Sequence, residues 1–87
     1  MPIAFIPSAL RRLTGGASRV EVAGHTVREV VAALEARFPG VQQRLCENDR
    51  LKPGMSVVVG TSIAGAGLMA HVPKDAEVHF VQAVGGG

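Results

Sequence analysis

Apolar and polar positions follow two different periods along this chain, and the switches between them divide it into elements. Residues Pro2 to Ile6 are apolar throughout, the pattern of a short buried strand, and Pro7 ends it. Ser8 to Leu13 is spaced for a short helical turn, after which Thr14-Gly15-Gly16 supplies a reversal. Arg19 to Ala23 then alternates, with Val20 and Val22 on one face, as in a half-buried strand. The two runs predict a hairpin with a long, decorated turn. From residue 27 the period lengthens. Val27, Val30, Val31, Leu34 and Phe38 recur at helical spacing, while Arg28, Glu29, Glu35 and Arg37 take the other faces. Thr26 and Glu29 occupy the reciprocal positions of a capping box, so the helix should start at Val27. Pro39-Gly40 stops it. A single apolar stripe needs a sheet to cover, so it is read as core and not as a partner groove.

Val41 to Cys46 has room for one more helical turn, and Glu47 to Gly54, polar and punctuated by Pro and Gly, reads as a surface loop. Met55 to Val59 is a third strand closed by Gly60. The small, glycine-rich stretch to Ala70 holds at most a short strand at Ser62 to Ala64. Val72-Pro73-Lys74-Asp75 then turns the chain into a last strand, Glu77 to Val81. The order is strand, strand, helix, strand, weak strand, strand, which predicts an α+β sheet with one helix across one face. Alternation in the last strand separates Val78 and Phe80 from His79 and Val81, and the second pair is assigned to the exposed side. The strand runs almost directly into Val84-Gly85-Gly86-Gly87. Residues 1–84 are therefore expected to form the domain and 85–87 a flexible tail. Lacking Cβ atoms, glycines can enter a slot too narrow for other residues, which makes the Gly87 carboxylate a candidate reactive group. The bland alternative is a frayed end.

With 87 residues the chain is one domain, too small to enclose a deep catalytic cleft, so it should work through its surface or its tail. Only three Phe and no Trp or Tyr accompany a 47% hydrophobic content, so the core must be built from Val, Leu, Ile and Ala. A net charge of +2 is spread along the chain, with Arg11-Arg12 the only adjacent basic pair. That is not a nucleic-acid footprint, which needs clustered cations and usually stacking aromatics. Cys46, the single cysteine, cannot form an internal disulfide, which points to a reducing compartment and to the cytoplasm. Residues Met1 to Leu10 precede their charges and contain two prolines, unlike a signal peptide. No run approaches the roughly 20 apolar residues that span a bilayer, so no membrane is expected. His25, His71 and His79 are not at metal-ligand spacing, and no metal is assigned. Cys46 has no sequence-local His-Asp partner and is read as a packing residue. Gly15-Gly16 and Gly60 to Gly67 lack the strand-to-helix context and the Lys-Ser/Thr of a phosphate loop.

Ile6-Pro7-Ser8-Ala9-Leu10-Arg11, Thr14-Gly15-Gly16, the helix end Ala36-Arg37-Phe38-Pro39-Gly40, Lys74-Asp75-Ala76-Glu77-Val78 and the final Val84-Gly85-Gly86-Gly87 together carry a resemblance. Over essentially its whole length the chain resembles the ubiquitin-like sulfur carriers of the molybdopterin-synthase small-subunit and thiamin sulfur-carrier superfamily. Its first two motifs look most like the carriers that feed a cysteine synthase. The resemblance implies a β-grasp fold with a mixed sheet. It implies a Gly87 carboxylate adenylated by a separate ubiquitin-activating-type adenylyltransferase and sulfurtransferase, then converted to a thiocarboxylate. ATP belongs to that enzyme, and the carrier, itself no enzyme, binds no cofactor. Gly85 and Gly86 would thread into the partner, while Val81, His79 and Val84 would dock. The acceptor would be a cysteine synthase-like enzyme, an enzyme of a secondary-metabolite or cofactor pathway, or the large subunit of molybdopterin synthase. Two departures stand out: Asp75-Ala76-Glu77 replaces the usual Asp-Gly-Asp, and Gln82 stands where relatives often carry proline. Rival readings are the molybdopterin-synthase small subunit, a ubiquitin-like modifier forming isopeptide bonds, and an inert β-grasp interaction domain.

Overall fold

A computed structural model of the chain describes residues 1–82. Strands β1 (Ile3–Phe5) and β2 (Arg19–Glu21) pair antiparallel, with Phe5 opposite Arg19 and Ile3 opposite Glu21. Their connection holds a 3-10 turn at Ser8–Leu10 and reverses at Gly15 and Gly16, whose φ of +66° and +91° favour residues without a Cβ. Thr14 is buried in this turn and donates its hydroxyl to the Ala17 carbonyl at 2.8 Å.

Helix α1 (Val27–Arg37) starts where its cap predicts. The Thr26 hydroxyl accepts from the Glu29 amide at 3.2 Å. The reciprocal bond is displaced by one residue, because the Glu29 carboxylate accepts from the His25 amide at 2.7 Å. Val27, Val30, Val31 and Leu34 face the core, and Leu34 is 0% exposed. Phe38 follows the last helical residue and is half-buried beneath the Arg37 guanidinium. The short α2 (Val41–Leu45) begins beyond Gly40. Glu35, placed on the polar face by its spacing, caps it, accepting from the amides of Gly40 at 3.1 Å and Gln42 at 2.9 Å.

The expected loop from Glu47 to Gly54 contains a small hairpin instead, β3 (Cys46–Glu47) with β4 (Arg50–Leu51). Asn48 and Asp49 form its two-residue turn at φ +52° and +63°, the left-handed pair that matches strand twist. Strands β5 (Met55–Val59), β6 (Ser62–Ile63) and β7 (Glu77–Gln82) complete the main sheet, in the order β2-β1-β7-β5-β6. The last strand lies in the middle, parallel to β1 and antiparallel to β5. One face of this mixed sheet is covered by α1. Ala4, Ile6, Val20, Val57, Val78 and Phe80 point into the core between them. Among the described residues the other face has no layer over it.

Candidate functional site

The uncovered face is built by register. Residues that alternate with the core positions lie side by side across all five strands, as Arg19, Phe5, His79, Val58 and Ile63. Phe5 and His79 stack with centroids 4.1 Å apart and planes inclined by 13°. The Arg19 guanidinium carbon stands 5.8 Å from the Phe5 centroid, within reach of the ring's quadrupole. His79 Nε2 lies 3.1 Å from a Glu77 carboxylate oxygen, which fixes both side chains on the surface. Val81 sits one step closer to the end of β7, opposite Ser56. It is 47% exposed and Ile63 74%, whereas Val78 and Phe80 on the covered face are 0% and 6% exposed. A groove of about 570 Å³ adjoins this end of the sheet, with Phe5, Ile6, Pro7, Arg11, Arg19 and Val81 among its walls.

Of the residues singled out from sequence, His79 and Val81 come together on this open face. Val84, Gly85, Gly86 and Gly87 lie outside the described residues. Phe5, Val58, Ile63 and Arg19 were not singled out, since only cross-strand register brings them beside His79; β1 is apolar throughout and read as buried on both faces, whereas Ile3 and Phe5 are half-buried on the open face.

The remaining chemistry is on the helical side. Cys46 is half-buried and lines a separate groove of about 400 Å³ together with Arg28, Glu35, Asp49 and Leu68. Burial pushes its thiol pKa up, and although Arg28 draws it down, Asp49 adds to the rise. A protonated thiol is a weak nucleophile. Arg28 clamps Asp49 through both carboxylate oxygens, one at 3.2 Å, and holds that carboxyl below its usual range. Among the described residues no group of three or more His, Cys, Asp or Glu side chains is placed to hold a metal. No described helix is long and apolar enough to cross a membrane.

A five-stranded mixed sheet grasping one helix, with its final strand central and its outer face bare, defines a ubiquitin-like β-grasp protein. No protein-family model and no curated protein matches the chain. Solved structures do. The chain is 33% identical to a chain in the crystal structure of the Amycolatopsis orientalis BexX/CysO complex, covering 100% of each with a TM-score of 0.90. It is 28% identical to Mycobacterium tuberculosis CysO, described as an antigen, over 97% of this chain and 100% of that one, with a TM-score of 0.87. SAMP1 from Haloferax volcanii shares the fold at 23% identity over 99% and 98% of the two chains, with a TM-score of 0.73. The chain belongs to the ubiquitin-like sulfur-carrier family that includes CysO.

Proposed function

We propose that the chain is a protein sulfur carrier whose Gly87 carboxylate is the group that is loaded. The observation that carries this reading is the full-length likeness to the CysO carrier, which was solved in complex with BexX. The chemistry follows from the weakness of a carboxylate as an electrophile. A carboxylate oxygen attacks the α-phosphorus of ATP in the active site of an adenylyltransferase, and pyrophosphate leaves. Hydrosulfide then attacks the acyl carbon, displaces AMP and gives up its proton, leaving a thiocarboxylate. The thiocarboxylate sulfur attacks an electrophilic substrate on the acceptor enzyme. Water finally cleaves the acyl–sulfur bond and restores the carboxylate.

The carrier's own contribution is presentation. Ordering three glycines in a partner's channel costs roughly 3 to 6 kcal/mol at about 1 to 2 kcal/mol per residue. Contact on the open face around His79 and Val81 offsets that cost, with Val84 extending the contact along the tail. The acceptor is taken to be a cysteine synthase-type enzyme. The molybdopterin-synthase large subunit is the alternative, in which the same tail would stay inserted. Reducing surroundings, as in the cytoplasm, suit both the thiocarboxylate and the unpaired Cys46.

Intact mass after incubation with an activating enzyme, ATP and a sulfide source tests the proposal. Exchange of one oxygen for sulfur is expected. A protein-sized adduct would establish a modifier instead, and an unchanged mass an inert domain. Deleting Gly87 withdraws the carboxylate by about 3.3 to 3.6 Å, far enough to leave a near-attack geometry. ATP-dependent pyrophosphate release should then collapse; wild-type turnover by the shortened, folded chain would overturn the assignment.

A further inference from the structure

The open face is electrically polar along its strands. Toward the start of β7, the carboxylates of Glu21 and Glu77 flank Ile3 in one cross-strand row. In the next row toward the end of β7, Arg19 stands beside the Phe5–His79 stack. Farther along the same way, Arg11 lines the groove beside Val81, its Nε donating to the Ile6 carbonyl at 3.2 Å. Glu77 is held in place by its contact with His79. The sign change occurs within β2 itself, whose exposed Arg19 and Glu21 are two residues apart on one face. Their rows are separated by about 6.6 Å, two strand rises. That is shorter than the roughly 8 Å screening length at physiological ionic strength, so salt does not screen the two rows from each other and the face presents a dipole along its strands to a partner in contact.

Resting on the sulfur-carrier reading, we infer that this polarity sets the orientation in which an activating enzyme seats the carrier. The partner that fits is a protein surface with an apolar centre over Phe5, Val58 and Val81. It carries carboxylates at the mouth of its tail channel, opposite Arg11 and Arg19, and a cationic group opposite Glu21 and Glu77. Turned end for end, the same surfaces place like charges against each other at both poles. Such juxtaposition is penalised more strongly than a lost attractive pair. Seating the wrong way would aim the tail away from the ATP site, so the charges select the one productive pose.

The exchange Arg19→Glu/Glu21→Arg tests this, because it inverts the polarity of β2 while leaving net charge and composition unchanged. Binding is measured against a purified ubiquitin-activating-type adenylyltransferase that releases pyrophosphate with the wild-type chain, at about 20 mM and about 500 mM salt. The expected result is affinity weakened about tenfold or more at low salt, with the difference shrinking to about twofold at high salt as screening removes it. Arg11→Glu, on a different segment, should show the same salt-dependent loss. Melting temperatures establish that both variants are folded. Wild-type affinity in the exchanged protein, or a loss that salt does not relieve, overturns the inference. If the wild-type chain supports no pyrophosphate release with any such enzyme, it is the carrier reading that fails.

Discussion

At the scale of single residues, neighbours in sequence have opposite duties. Val81 is 47% exposed on the open face while Phe80, its neighbour, is 6% exposed in the core. Val81→Arg should therefore weaken binding to the activating enzyme while shifting stability by no more than about 0.5 kcal/mol, as for an ordinary surface site. A large drop in melting temperature would show that the side chain supports the fold. Cys46 gives a pH-dependent expectation. Burial raises its thiol pKa, so the folded chain holds the proton more tightly than the unfolded chain. Stability from this group is present below the ordinary thiol pKa and is lost as pH rises through the folded value. Denaturant melts should show declining stability above the ordinary thiol pKa of about 8.5, and Cys46→Ala should flatten that decline. Cys46→Ser should still load sulfur at the wild-type rate, since burial outweighs the pull of Arg28 and keeps the thiol protonated; loss of thiocarboxylate in a folded Cys46→Ser protein would contradict that.

Among the elements, α1 was the most legible from sequence because cap, stripe and stop all agreed. Its Val27 start is held by the Thr26 hydroxyl, and its stripe buries Val30, Val31 and Leu34. Leu34→Ala should cost roughly 2 to 5 kcal/mol through lost burial and a cavity, read from denaturant midpoints; under about 0.5 kcal/mol would contradict the packing. The start of α1 also approaches Gly24 closely. A Cβ there would lie 2.9 Å from the Val30 amide nitrogen and 3.1 Å from Glu29 atoms. Gly24→Ala should thus destabilise by about 1 to 3 kcal/mol, the usual cost of overpacking, whereas Gly60→Ala meets open space and strains only its backbone, at φ +65°. The hairpin of β3 and β4 was not legible. Strands of two residues show no period, and Asn48-Asp49 lacks the glycine that usually announces such a turn.

For the whole molecule, the sheet divides labour between its two faces. Stability resides where α1 covers it, and the bare side is free to vary its chemistry. The alternation in β7 assigned His79 and Val81 to one side from sequence alone. The aromatic stack and the flanking charges could not be read that way, because they depend on which strands are neighbours. Parallel pairing of β1 with β7, strands more than 70 residues apart in the chain, puts Phe5 against His79. Changes confined to the open face should accordingly separate binding from melting temperature.

The central position of β7 has a mechanical consequence. On the proposed carrier reading a load on the tail reaches the domain through β7, which is joined on both sides, to β1 over three register pairs and to β5 over five. Load applied at its end acts in shear on both ladders together. An edge strand would have one ladder to resist with and could peel. The strand that would take such a load is thus the one laced on both sides, so traction on it would move the domain as one piece.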